Sequence, residues 1–166
     1  KRPLILAGNG INCAQARDEF VDFVQRTNIP VVTSYNAVDL FPSVYSNFVG
    51  RVGVKGTRAG NFAMQNCDLL LVIGCRLPVP VTGYNYTTFA REAKVIVVDI
   101  DKDEHSKETV KIDRFIHRDA KDFLNINVFD REKTDWNKTC QRWKDQWPVC
   151  PDTNPAEKVD LYYFMK

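Results

Sequence analysis

The sequence predicts an α/β domain in three layers, with a mostly parallel sheet between helices. Three observations carry this. Leu69–Ile73 is a strand without a polar side, so it needs cover on both faces, as strands inside a parallel sheet do. Two short apolar strands, Pro3–Ala7 and Val31–Thr33, bracket a stretch of helical spacing. Together they form a unit of about thirty residues, the size of a right-handed parallel crossover. Residues 94–100, Lys-Val-Ile-Val-Val-Asp-Ile, give a further buried strand that ends between Asp99 and Asp101.

The elements follow in order. Gly8-Asn9-Gly10 turns the first strand. Cys13, Ala16, Phe20, Phe23, Val24 and Thr27 recur at three- and four-residue steps, which predicts one helix with an apolar face, capped by Asn12. Asn28-Ile29-Pro30 stops it. Residues 34–58 carry no periodicity and are punctuated by Phe41-Pro42-Ser43, Gly50, Gly53 and Gly56, a long irregular segment of the kind that serves function. Ala59, Phe62, Ala63 and Asn66 restore helical spacing directly before the central strand. A loop from Gly74 to Gly83 with Pro78 and Pro80 leaves that strand, residues 88–93 allow one or two helical turns, and residues 109–116 read as a more exposed strand. Asp119 caps a helix over residues 120–128, and a last helix carries Trp136, Cys140, Trp143 and Trp147 on one packed face. The organisation expected is an α/β domain over residues 1–130, a linker helix packed on it over 131–147, and a proline-marked linker over 148–166 (Pro148, Pro151, Pro155) that enters a further domain.

Composition narrows the function classes. The chain has 166 residues, 44% hydrophobic and 27% charged, enough for a sizeable core. Its net charge of +2 comes from 23 basic and 21 acidic residues that are well mixed, so neither nucleic acid nor an anionic membrane is an expected partner. No apolar run approaches the roughly 20 residues of a membrane span. Five cysteines, odd in number and without Cys-x-x-Cys spacing, predict free buried thiols, no zinc site and a reducing cytoplasm. The start at Lys1, two residues ahead of a strand, suggests a domain of a longer protein.

The candidate site lies where three strand ends meet. Gly8-Asn9-Gly10, Gly74-Cys75-Arg76 and Asp99-Ile100-Asp101 all follow strands, at the edge where open α/β sheets bind ligands. Glycines there admit an anionic phosphate to backbone amides, a carboxylate accepts from ribose hydroxyls, and an arginine pairs with phosphate. The same glycines serve equally as tight turns, and the two aspartates as a strand end and a cap. The dinucleotide fingerprint is incomplete, since Cys13 stands at its third glycine and Thr33 and Ser34 end the second strand without an acid. His105 and His117, the only histidines, have no nucleophile or metal partner nearby in sequence, and His105 sits in a charged run that reads as wet surface. Nucleophile elbow, P-loop and metal-ligand motifs are absent.

Several stretches together are similar to one family. Residues 2–10 (Arg-Pro-Leu-Ile-Leu-Ala-Gly-Asn-Gly), 29–33 (Ile-Pro-Val-Val-Thr), 50–56 (Gly-Arg-Val-Gly-Val-Lys-Gly), 66–76 and 97–101 resemble the central domain of thiamine diphosphate-dependent enzymes. Val81-Thr82-Gly83, residues 117–124, Trp143-Lys144 with Pro148, and Tyr162-Tyr163-Phe164 point to the acetolactate synthase branch.

The resemblance implies a six-stranded, mostly parallel, Rossmann-like sheet with the ligand at the carboxyl ends of its strands. It implies a cytoplasmic homo-oligomeric parent, in branched-chain amino acid biosynthesis, that makes or breaks a carbon–carbon bond next to the carbonyl of a 2-oxo acid. Thiamine diphosphate and magnesium would be held by amino- and carboxyl-terminal domains outside these residues, so none of the chain's residues is assigned to catalysis or to metal. The central domain itself binds FAD in that branch and an ADP moiety in others. Carried over by position, the cofactor contacts fall on Gly8, Asn9, Gly10, Thr33, Ser34, Gly53, Val54, Lys55, Gly74, Cys75, Arg76, Asp99, Ile100, Glu104, Asp119 and Ala120. Lys55 departs from the branch's histidine, and Pro78 and Pro80 from its aspartate and arginine. Each charged hydrogen bond lost there is worth roughly 1.5–3 kcal/mol, which leaves Arg76 as the permanent cation. Two rival readings are a stand-alone nucleotide-binding or structural domain and an NAD-dependent deacylase; the deacylase would need a catalytic histidine and a four-cysteine zinc module.

Overall fold

The computed structural model describes residues 1–127, 130–150, 159 and 161–165. Six parallel strands run in the order β3-β2-β1-β4-β5-β6: β1 is Pro3–Ala7, β2 Val31–Thr33, β3 Phe48–Arg51, β4 Leu69–Ile73, β5 Lys94–Asp99 and β6 Arg114–His117. The order turns back between β1 and β4, and that reversal opens a crevice at their carboxyl ends. Each residue of β1 is buried, because β2 and β4 pair with its two edges and an apolar layer covers each face.

The two faces have separate cores. Leu4, Leu6, Val32, Leu70, Val72, Val95 and Val97 pack with Ala59, Ala63 and Met64 of α3 (Arg58–Asn66) and with Trp136 and Cys140 of α6 (Asp135–Gln146). Ile5, Ala7, Val31, Ile73 and Val98 pack on the other side with Phe20, Phe23 and Val24 of α2 (Arg17–Thr27) and Phe123 and Leu124 of α5 (Ala120–Leu124). This is the period-2 alternation of each strand resolved into two layers. The tryptophan helix joins the domain as its spacing predicts. Trp136 donates its indole N–H to the Pro3 carbonyl at 2.9 Å, and Thr134 with Asn137 forms a capping box at the helix start.

The structure departs from the sequence expectations at its irregular places. The helix expected from Cys13 onward is two, α1 (Gly10–Cys13) and α2, broken at Gln15 with φ 50°. Asn12 therefore caps nothing; it lies within α1 and donates to Asn9 and Asp39, and α2 starts after Ala16 without a side-chain cap. The stretch over 34–58 conceals β3, which at four residues, with a glycine inside and a register shift against β2, is too short to show a period. The loop after β4 contains a helical turn, α4 (Val79–Thr82), with Pro80 in its first turn, where its missing N–H costs nothing. A 3₁₀ turn occupies Tyr86–Thr88 in place of helix over 88–93. The fifth anticipated strand shrinks to β6, and α5 ends at Leu124, short of residue 128, with Asn125 accepted by the Lys121 carbonyl. α2 stops at Asn28 and Asp119 caps α5 through the Lys121 amide, both as expected; Asn28 makes its stop in the left-handed conformation. Pro151, Pro155 and most of the anticipated entry segment lie outside the described residues; within them, Leu161–Phe164 form one short helix, α7.

Candidate functional site at the carboxyl edge of the sheet

Three loops are laced together where β1, β4 and β5 end. The Gly8 amide donates to the Ile73 carbonyl, the Gly10 amide to the Gly74 carbonyl and the Gly74 amide to the Val98 carbonyl, each at 2.9 Å. The fit is tight: a Cβ on Gly8 would stand 2.1 Å from the Gly74 oxygen and 2.5 Å from the Cys75 Cα. The glycines are therefore required by loop-on-loop packing, whatever else they contact. Gly53 is required in the same way from the β3 side, with φ 94° and a notional Cβ 2.0 Å from the Pro80 oxygen. Val54 donates its amide to that oxygen, and Asn61 clamps both backbone groups of Gly53.

These contacts wall a cavity of about 670 Å³, a volume typical of small-molecule sites. Asn9, Gly10 and Ser34 line it from the β1–β2 side; Lys55, Gly74, Cys75 and Arg76 close it above; Asp99 and Ile100 form the far wall. Pro78 and Pro80 stand at its mouth. The remaining residues singled out from the sequence sit elsewhere. Gly8 and Thr33 lie behind the lining, with Thr33 fully buried and its hydroxyl without a partner among the described residues. Val54 is exposed and faces a neighbouring cavity with Lys55, Glu104 lines a small pocket of about 100 Å³ beside Arg76, and Asp119 and Ala120 start α5.

Asp99 is the charged residue buried in this wall. Burial pushes its carboxyl pKa up, but the His105 imidazole and the amides of Asp101 and Ile100 outweigh that and hold it below the ordinary 3.8. His105 Nε2 lies 3.4 Å from Asp99 Oδ2, and the imidazole is only 4% exposed, with its ring tilted against that of Phe115. The wet-surface expectation for His105 is thus overturned: the charged residues around it face water, and the ring turns inward. Arg76 reaches Asp101 at 3.7 Å across an open mouth, with 69% of its side chain exposed. Cys75 is buried and its thiol is pushed up to about 11, chiefly by that burial. Cys13, expected to be buried, is exposed on the cavity lining, where the Asn9 amide points at its sulfur.

Sequence reasoning missed Tyr35, Asn36 and Val52 in the lining. Tyr35 and Asn36 follow β2 at the same edge as the glycine turns, and that shared edge was the available clue. His105 left only its distance of six residues from Asp99 in a loop that folds back. The site offers acceptors for hydroxyl groups, two cations and apolar side chains, a set suited to binding. Among the described residues, no group of three or more His, Cys, Asp or Glu is placed to hold a metal ion, and no helix is long and apolar enough to cross a membrane.

Comparison with known proteins agrees with this architecture. Residues 1–126 match the family described as the thiamine pyrophosphate enzyme central domain. The chain is 41% identical over 124 residues to a probable acetolactate synthase large subunit of Methanocaldococcus jannaschii, covering 75% of this chain and 21% of that protein. It is 31% identical over 146 residues to the acetolactate synthase isozyme 2 large subunit of Escherichia coli K12, covering 88% and 26%. With the acetolactate synthase large subunit of Buchnera aphidicola subsp. Schlechtendalia chinensis it shares 33% over 165 residues, covering 93% and 28%. The chain spans about a quarter of the length of such relatives. A sheet with this strand order, glycine turns at its reversal and a match over three-quarters of the chain place it: the chain belongs to the central-domain family of thiamine pyrophosphate enzymes.

Proposed function

We propose that this chain is the scaffold and nucleotide-holding domain of an acetolactate-synthase-like enzyme, which makes or breaks a carbon–carbon bond beside the carbonyl of a 2-oxo acid. In this reading thiamine diphosphate and its magnesium are bound by flanking amino- and carboxyl-terminal domains of a cytoplasmic homo-oligomer. The carbanion chemistry belongs to that cofactor, and the present residues position the neighbouring domains.

The cavity at the β1–β4 reversal carries the nucleotide part of the proposal. Its residues suit the ADP portion of FAD or ADP itself. Asp99, ionised and aimed into the wall, would accept ribose hydroxyls; Asn9 and Ser34 would hydrogen-bond; Arg76 and Lys55 would meet the diphosphate. Pro78 and Pro80, which line the cavity, would give apolar contacts beyond the diphosphate.

The test is calorimetric titration of the full-length protein with ADP and with FAD. Micromolar binding that falls about tenfold in Arg76→Ala and in Asp99→Asn is expected; no binding of either ligand would overturn the nucleotide role. Catalysis is tested apart from binding. A polypeptide of these 166 residues alone, supplied with thiamine diphosphate, magnesium and pyruvate, is expected to form no acetolactate, and measurable product would refute the division of labour.

A further inference from the structure

A second cavity, of about 740 Å³, lies between the β3–α3 turn and the end of α6. Arg51, Lys55 and Arg58 line it, and none of the described residues that line it is acidic. None of these three cations makes an ion pair with a described residue, whereas Arg26, Lys121 and Lys138 pair with Asp22, Glu19 and Asp135. Three like charges lining one cavity repel one another, so an anion between them is favoured. The rings of Tyr35 and Trp147 line the same space.

We infer that this cavity is a binding site for a phosphate monoester whose organic part is a planar ring. Two arginines supply forked donors that match phosphate oxygens, Lys55 adds a third positive charge, and the aromatic walls accept the ring. Lys55 and Tyr35 line both this cavity and the one at the β1–β4 reversal. The Lys55 ammonium rests 5.1 Å from the centre of the Tyr35 ring, so this pair forms the partition between the two spaces. The site stands independently of the nucleotide reading, since Arg51 and Arg58 do not touch the first cavity.

The experiment uses phenyl phosphate on the full-length protein already saturated with thiamine diphosphate and magnesium, followed by calorimetry and tryptophan fluorescence. Phenol serves as the uncharged control. Binding of phenyl phosphate at least tenfold tighter than phenol is expected, weakening with added salt. Arg51→Gln and Arg58→Gln should each weaken it about tenfold, whereas Asp99→Asn should leave it within about twofold. The Arg51 side chain is separable from the fold, because it is the Arg51 carbonyl that accepts from the Thr57 amide at 3.0 Å. Arg58 is exposed at the start of α3, which gives a second variant that does not disturb the core. Equal affinity in both arginine variants, or phenol binding as tightly as phenyl phosphate, would overturn the assignment. Loss on Asp99→Asn with the arginine variants unaffected would put the phosphate in the first cavity, and would overturn it too.

Discussion

Replacing Gly8 by alanine sets a methyl group 2.1 Å from the Gly74 carbonyl oxygen and 2.5 Å from both Cα and Cβ of Cys75. None of these atoms belongs to a flexible side-chain end, so relief requires the β1 and β4 loops to part. Overpacking of a close-packed site costs roughly 1–3 kcal/mol, and a backbone obstacle puts this case at about 3 kcal/mol. At tenfold per 1.4 kcal/mol, that corresponds to an opening equilibrium about 150 times larger. Hydrogen exchange of the full-length protein reads it directly, because the Gly8 and Gly74 amides are bonded to the Ile73 and Val98 carbonyls. Exchange of peptides covering these loops should accelerate by about two orders of magnitude with no nucleotide present. Gly83→Ala is the control. Nothing lies within 4 Å of a Cβ there, and only the strain of φ 76°, about 1–2 kcal/mol, should appear, confined to its own loop. Protection of the Gly8 loop unchanged within about threefold would refute the argument. It would mean that the glycine matters only when a ligand approaches.

Two further outcomes follow from the ionisable groups. The Asp99 carboxyl titrates below its ordinary 3.8, so the folded protein takes up this proton less readily than the unfolded one. The stabilisation it gives is complete above that ordinary value and is lost as pH falls through the lowered one. Melting temperatures followed from about pH 5 to about pH 3 should therefore drop less steeply in Asp99→Asn than in the parent protein, and identical acid limbs would contradict this. The second outcome concerns thiols. Burial pushes Cys67 and Cys140 up to about 12 and Cys75 to about 11, while Cys13 is exposed. Iodoacetamide at about pH 8 should modify Cys13 in the native protein and spare those three until it is unfolded, with peptide mass spectrometry as the readout.

The strands that the sequence announced are those with uninterrupted apolar runs. Residues 69–73 could be placed in the middle of a parallel sheet because no face of the run is polar, and the observed pairing with β1 and β5 agrees. β3 left no such trace: Gly50 contributes no side chain, Arg51 is half-buried, and its pairing with β2 slips by one residue. Its existence depends on Phe48 and Val49 finding partners in two different cores, a tertiary fact. The break in the first helix was equally hidden, since the residues on both sides of Gln15 keep the apolar spacing. At the site, the edge rule located the turns correctly. It could not tell Asp99 from Asp101, one buried against an imidazole and the other half-exposed beside Arg76. Nor could spacing along the chain tell that, in the turn held by Asn61, Lys55 would line both cavities and Val54 only the second.

α6 begins beside Pro3 and Asn28, where β1 starts and α2 ends, with Asn137 reaching the Asn28 carbonyl at 2.6 Å. It finishes at Trp147, next to the turn that opens α3 on the opposite rim of the sheet. Twelve residues of helix climb about 18 Å, so the segment acts as a strut as tall as the sheet is deep. Any polypeptide joined ahead of Lys1 meets the lower rim, and any joined beyond the strut departs from the upper one. Neighbours attached at these two points would stand apart by about the 18 Å rise of this helix.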